Sequence, residues 1–513
     1  MAQIVNGFVR ANGKNLVNDD GEILLKGWGI GNWLLQEGYM WQASGISRMD
    51  RPARMKQVVA ELLGDTNAEK FWQDFTDNYF TIEDLLYQKS MGYNSIRLPL
   101  HWDLFLENEP EAVFKEDGFA LLEKIFSWCQ EADLYVILDL HGAPGGQTGA
   151  NIDDSADDLP RLFLDDQQFA KGVALWQEIA RRYAQNQVIG GFDLLNEPIR
   201  PGFDPVQEQF FVNRLFAFYQ ETIAAIRKFD TYHMISLEGH HWATNPLIFN
   251  QRYDDNYVIH FHRYATLPEK ENFADFLALQ DKWQVPLWLG ETGENLLPWF
   301  SGMTQICEAE NISYHFWPYK KMGKNNCPVT IKTPKDWQLI LDYAAGKKHP
   351  GAMKAQEIFS QLLENLKLKN CQKNSATDFA VLRNGPYTLR ATEFMESVGE
   401  RQPKENLFNF HKEAPISIVE VTPRQENRFS FDNGWDRFGL KLQKNDCVTY
   451  SAPNFSVKKL LLFIESGNGQ ISLQNKLYQV TEKCVIKHDY VSNQLLQLKQ
   501  IEGTCIYTHF DFL

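Results

Sequence analysis

Eight times within the first 370 residues, a short run of branched and aromatic residues is followed by a longer amphipathic stretch. The runs are LLKGWGIGNW (24–33), YNSIRLPLHW (93–102), LYVILDLHG (134–142) and IGGFDLLNEP (189–198), then HMISLEGHHW (233–242), YVIHFHRY (257–264), VPLWLGETG (285–293) and ISYHFWPY (312–319). Segments between them, such as GFALLEKIFSWCQEA and FAKGVALWQEIARRYAQ, space apolar residues by three and four, the period of a helix buried along one face. A buried strand followed by a helix, repeated, builds a parallel sheet. Eight such units are the count for a closed (β/α)8 barrel, so the expected class is α/β.

Each run stays apolar until its end, where polar or aromatic residues gather. They are Trp33, Arg97 with His101, His141, Asn196 with Glu197, Glu238 with His240 and His241, His262 with Tyr264, Glu291, and Trp317. In a parallel barrel the C-terminal strand ends form the ligand bowl. One polar strand end is ordinary solvent contact. Eight together predict a site.

Within VIGGFDLLNEPIR, Pro198 has no N–H for a sheet ladder and restricts the residue before it. Glu197 is therefore expected as the last extended residue of the fourth strand, with Glu291 ending the seventh, across the barrel. Two carboxylates so placed can hydrolyse a glycosidic bond, one protonating the leaving oxygen while the other attacks the anomeric carbon or activates water. The charge of one raises the proton affinity of the other. Asn196 would donate to a sugar hydroxyl. Tyr264 and Arg97 would orient the nucleophile, and Trp317, with Trp33 and Trp242, would offer flat faces to pyranose rings.

FDLLNEP, LWLGETG, IRLPLHW, LDLHGAPGGQ and HFHRY together resemble glycoside hydrolase family 5, a retaining (β/α)8 family, over residues from about 8 to 365. The resemblance implies Glu197 as acid/base and Glu291 as nucleophile. It implies Arg97, His141, Asn196, His262, Tyr264 and Trp317 as binding residues. GIGNWLLQEGYMW and LDLHGAPGGQTG are most similar to the exo-β-glucanase and glucosidase-like branch, which implies that Glu37 binds the terminal sugar. That branch usually follows its Gln with Asn and Gly, whereas Thr148 follows Gln147 here. The implied substrate is a β-linked glucan or oligosaccharide, and no cofactor is needed. A β-mannan or other hemicellulose specificity, a catalytically silent sugar-binding protein and a metal-dependent barrel enzyme remain as alternatives.

Glu238, His240 and His241 carry metal-ligand chemistry. Adjacent strand residues point to opposite faces, so these three read as substrate-side or supporting residues, and no metal site is expected. The acidic run NIDDSADD (151–158) lacks the alternation and distal Glu of an EF-hand and reads as a solvated loop.

Before the barrel, GFVRANGKNLVNDDGE carries Asn-Gly and Asp-Gly turn signals, expected to form a hairpin over the barrel bottom. A helical insert from about 38 to 90 should wall one side of the mouth. Near 370 the pattern turns β-rich, with turns at RNGP, DNGW and SGNG. The expected domains are thus a barrel over 1–370 and an all-β, jelly-roll-like sandwich over 371–513.

The net charge of −15 argues against a nucleic-acid or anionic-membrane partner. The acidity belongs to the barrel, because residues 371–513 hold 17 of the 51 Lys+Arg and 16 of the 66 Asp+Glu. Apolar windows are too short for a membrane span. Seven scattered cysteines do not form a disulfide pattern. The start lacks a signal-peptide pattern, so the reading is cytoplasmic if the sequence is complete, and extracellular or periplasmic if a leader was removed. Oligomeric state is not legible.

Overall fold

The computed structural model describes residues 4–400, 408–426, 428–490 and 494–513; the opening Met1-Ala2 lies outside them. By compactness the chain forms two units. The first comprises residues up to His262 with Ala278–Thr292 and Ser313–Lys373, and the second Arg263–Leu277, Gly293–Ile312 and Asn374–Leu513.

Where a hairpin was expected near the N-terminus, three strands form an antiparallel sheet: β1 (Arg10–Asn12), β2 (Asn15–Asn18) and β3 (Gly21–Ile23). The two turn signals produce two turns, and hence a third strand. The segment closes the N-terminal end of the barrel through backbone donors. Val5 N–H reaches the Asp133 carboxylate at 2.8 Å, and Asn6 N–H reaches the Tyr135 hydroxyl at 3.0 Å. Ala11 N–H reaches Asn256 Oδ1 at 2.8 Å.

The barrel strands are β4 (Lys26–Gly29), β5 (Ser95–His101), β6 (Tyr135–Gly142), β7 (Ile189–Asp193), β8 (Ile235–Glu238), β9 (Tyr257–Arg263), β10 (Leu287–Thr292) and β11 (Ser313–Phe316). They close in chain order into a parallel barrel, with β11 beside β4. Every residue of β5, β6, β7 and β10 is buried, as it must be in strands covered on both faces. After β4 the insert folds as α1 (Pro52–Leu63), α2 (Asp65–Tyr79) and α3 (Ile82–Met91). Pro52 starts α1, where a missing N–H costs nothing. A Thr81–Asp84 capping box starts α3, and Gly92, in the left-handed region, ends it. Trp33 is buried against this insert, with its indole N–H on the Thr76 carbonyl at 2.9 Å and its ring 5.1 Å from Phe80. It is a wall residue rather than an open sugar platform. Among the described residues no helix is long and apolar enough to cross a membrane.

In the second unit, nine strands among the described residues from Tyr387 to Phe512 join one antiparallel hydrogen-bonded network. Its spine is the pair Leu460–Leu473 and Leu496–Phe512, whose register shifts three times. Such bulges bend a sheet and let it wrap a core. Alternate side chains, including Leu440, Leu442, Leu460, Leu462, Phe510 and Phe512, bury in that shared core. The helix after β10, Leu297–Ala309, is counted here: Gln305 donates to the Glu393 carbonyl at 2.7 Å, and Arg383 pairs with Glu308.

Candidate active site

The C-terminal ends of the barrel strands gather around one buried cation. Arg97, on β5, has no exposed surface and meets four carboxylates. Its Nη1 lies 2.5 Å from Glu291 Oε1, and its Nη2 lies 3.1 Å from both Asp139 Oδ2 and Glu238 Oε1. Its Nε donates to Asp193 Oδ2 at 3.0 Å, and Nη2 donates to Asn196 Oδ1 at 2.8 Å. Burial opposes the guanidinium charge, but the four carboxylates outweigh it and hold its pKa well above the ordinary value. Burial pushes the Asp139 and Glu238 carboxyls up, with Asp193 as a further like charge on each. Burial acts on Asp193 too, yet His260 and Arg97 prevail and draw it below the usual range. The cluster thus separates into neutral and ionised carboxyl groups around one arginine.

Asp139, Asp193 and His260 are neighbours in this cluster that the strand-end pattern does not reveal. Their signal is an acid or imidazole inside an otherwise apolar, buried strand, which requires a partner. Asp139 also lies two residues before His141, on the same face of β6.

The fourth strand does not run to Glu197, contrary to expectation. β7 stops at Asp193, and Glu197 sits in the left-handed region at φ 42° although Pro198 follows it. Three tertiary hydrogen bonds impose this turn. Glu197 N–H donates to Glu238 Oε2 at 2.6 Å, Asn196 N–H to the Leu140 carbonyl at 3.1 Å, and Ile199 N–H to the Gln147 carbonyl at 3.0 Å. A non-glycine residue held there costs about 1–3 kcal/mol, a strain typical of functional loops. The loop after β6 braces the same turn: Gln147 Nε2 donates to the carbonyls of His141 and Asn196 at 2.7 and 2.8 Å. Asp153, from the acidic run, accepts from the Gln147 and Thr148 amides at 2.6 and 2.5 Å and is buried rather than solvated.

Glu197 and Glu291 face each other with His262 between them. His262 Nδ1 lies 2.7 Å from Glu197 Oε1 and 3.7 Å from Glu291 Oε2. One carboxylate oxygen of each glutamate and a ring nitrogen of His262 all lie within 4.8 Å of one another. Burial drives the Glu197 carboxyl up to about 7, opposed in part by His141 and by the Arg97 guanidinium. Burial also pushes His141 down to about 4 and His262 well below its ordinary value, so both imidazoles are neutral. From His262 a chain runs inward: its Nε2 meets His260 Nε2 at 3.1 Å, and His260 Nδ1 meets Asp193 Oδ1 at 3.0 Å. An ionised Asp193 only accepts, which assigns the proton of His260 to Nδ1. His260 Nε2 then accepts from His262 Nε2–H, and His262 Nδ1 presents a lone pair to the carboxylic acid of Glu197.

Asn196 bridges Arg97 and His141, its Nδ2 lying 3.3 Å from His141 Nε2. His141 is anchored by Asp139 at 2.8 Å and stacks on Trp317 at 5.2 Å and 7°. Trp317 donates its indole N–H to the Tyr39 hydroxyl at 3.0 Å and fills space left by Gly29 and Gly31. Glu37 is buried two residues before Tyr39, in the segment after β4. Tyr264 belongs to the second unit, where its ring packs on Phe431 at 4.6 Å. Trp242 is half-buried. His240 and His241 leave the cluster altogether. β8 ends at Glu238, which turns toward Arg97, while the two histidines face Glu208. They do not lie on a strand, so opposite-face geometry does not apply to them.

A closed parallel barrel with paired carboxylates at its C-terminal mouth can cleave bonds between sugars. Residues 64–329, over half of the chain, match the family model for cellulase (glycosyl hydrolase family 5), and the chain belongs to that family. It is a glycosidase. Among its relatives are a β-xylosidase of Phanerodontia chrysosporium, 28% identical over 68% of this chain and 78% of the relative. A probable glucan endo-1,6-β-glucosidase B of Aspergillus flavus is 30% identical over 39% of this chain and 53% of its own length. Endoglucanase C of Acetivibrio thermocellus is 26% identical over 38% of this chain and 53% of its own, so the chain spans about half of these last two.

Proposed function

We propose that the protein is a retaining β-glycosidase acting on β-linked glucans or gluco-oligosaccharides, with Glu291 as nucleophile and Glu197 as acid/base. The observation that carries this reading is the approach of the two carboxyl groups to within 4.8 Å. Retention needs carboxyl groups about 5–5.5 Å apart, whereas an inverting enzyme leaves about 6.5–9.5 Å for a water.

In the first step the Glu291 carboxylate, paired with Arg97, attacks the anomeric carbon while the neutral acid of Glu197 gives its proton to the departing glycosidic oxygen. This forms a glycosyl ester and releases the aglycone alcohol. Glu197, now a carboxylate, takes a proton from water as the hydroxide oxygen bonds to the anomeric carbon. The ester bond breaks, and both glutamates return to their starting states. An acid with a pKa near 7 is suited to both roles at neutral pH. Asn196, with its carbonyl fixed by Arg97, offers an amide donor to the sugar. The stacked His141–Trp317 pair forms a rigid wall.

The β-xylosidase relative, matched over 78% of its length, favours a second specificity, for β-xylosides. The deciding experiment follows hydrolysis of defined β-gluco-, β-xylo- and β-manno-oligosaccharides by proton NMR. A β-anomer as first product from the gluco series supports the proposal. An α-anomer overturns retention, and faster turnover of xylosides or mannosides overturns the sugar assignment.

A further inference from the structure

Glu208, His240 and His241 form a cluster that the glycosidase chemistry does not use. Glu208 stands in the first turn of the helix Pro205–Arg227, and the histidines follow β8. One nitrogen from each ring and one carboxylate oxygen lie within 4.8 Å of one another. His241 Nε2 is 3.1 Å, and His240 Nε2 3.7 Å, from an oxygen of Glu208. Two ligands bound at about 2.0–2.1 Å to a tetrahedral zinc stand about 3.3–3.4 Å apart, between these two values.

His240 supplies the second observation. Its side chain has no exposed surface, yet neither ring nitrogen has a hydrogen-bond partner. His241 Nε2 is likewise without a hydrogen bond, although Glu208 stands beside it. A buried imidazole whose nitrogens make no hydrogen bond loses its hydration without return. An ion shared by the three groups removes that loss. Glu208 and His241 keep 29% and 26% of their side-chain surface, so the cluster opens to solvent and an ion can enter.

We propose that Glu208, His240 and His241 bind a divalent transition metal of the zinc class, with a water in the fourth position. Two imidazoles and a carboxylate are a zinc donor set rather than one for calcium or magnesium, which take oxygen ligands. Its role is structural. His241 N–H donates to the Ile199 carbonyl at 2.8 Å, two residues beyond Glu197. The ion therefore pins the start of a 23-residue helix to the loop that braces the strained turn at Glu197.

The test uses the full chain stripped with a chelator, dialysed and titrated calorimetrically with zinc chloride, beside Glu208→Gln and His241→Gln. Both substitutions are at partly exposed positions, and melting without zinc verifies that the variants fold. The wild type is expected to bind with a micromolar or tighter Kd at this site. Each variant should lose at least about thirtyfold in affinity there. At a hundredfold excess over the wild-type Kd, zinc should raise the wild-type Tm by about 4 °C, and that of the variants by no more than about 1 °C. Cobalt(II) should give a tetrahedral visible spectrum in the wild type that both variants lose. Absence of zinc binding by the wild type overturns the proposal, as does unchanged affinity in both variants.

Discussion

The Nδ1 atom of His262 lies 2.7 Å from Glu197 Oε1, and the imidazole that carries it is neutral. This contact presents a lone pair to a carboxyl group whose burial holds it near 7. The alkaline limb of kcat/KM in the wild type should therefore fall with an apparent pKa near 7. His262→Ala admits water beside Glu197, weakens the burial effect and should move that limb to lower pH. A pH profile on an aryl β-glucoside measures it, and an unmoved limb contradicts the assignment.

Arg97 is the hinge of the site's charge balance. Arg97→Ala leaves Asp193 and Glu291 buried without their cation, the situation in which breaking a buried pair costs about 3–5 kcal/mol. Arg97→Lys keeps one charge but cannot reach Asp193, Asn196 and Glu291 together through a planar fork. Denaturant melts should rank the wild type above the Lys variant and the Lys variant above the Ala variant. Equal midpoints for all three would contradict this role.

The barrel was legible because each strand is a buried apolar run and each helix a periodic one. The polar and aromatic strand ends singled out Arg97, His141, Glu197, His262, Glu291 and Trp317 as candidates, because they interrupt runs in which the pattern calls for aliphatic residues. What the sequence concealed arises from tertiary contacts. Pro198 argues for an extended Glu197, but hydrogen bonds donated to groups as distant as Leu140 and Glu238 impose a left-handed turn. Asp139 lies inside β6 and Asp193 ends β7, and their partner Arg97 is 42 and 96 positions away in the chain. His240 and His241 were read on a strand that ends before them.

Gly29 and Gly31 lie under the Trp317 ring, where an added Cβ would approach ring carbons to 2.3 and 2.6 Å. The space is filled by a rigid indole that also stacks on His141, so it cannot give way locally. Gly29→Ala should tilt Trp317 off His141 and disturb the sugar wall while leaving the glutamate pair in place. Steady-state kinetics on an oligosaccharide should show KM rising by more than kcat falls. A fall in kcat alone would place Trp317 outside substrate binding.

Glu291→Gln keeps the shape of the site and removes the charge of the proposed nucleophile. Arg97 Nη1 holds one Glu291 oxygen at 2.5 Å, and the other lies 3.7 Å from His262 Nδ1. Turnover of an activated aryl β-glucoside should fall by about 10^4-fold, equivalent to about 5.4 kcal/mol of barrier. Circular dichroism and melting verify that the variant folds. Near-wild-type turnover would remove Glu291 from the nucleophile's role.

Glu197 makes stability depend on pH as well as rate. Its carboxyl titrates near 7 in the folded chain against an ordinary value of 4.5, and its side chain is 12% exposed. Below pH 4.5 both states hold the proton, so ionisation costs the fold nothing. Between 4.5 and 7 the unfolded chain releases it first, and stability falls as pH rises; above 7 the loss levels off at about 3 kcal/mol at most. Glu197→Gln cannot ionise and escapes this loss. At pH 8 the variant should melt about 4 °C above the wild type, and at pH 5 the gap should close to about 1 °C. Calorimetric melts at the two pH values provide the comparison. A gap that stays constant between them would show that Glu197 is not the buried acid on which the proposed first step depends.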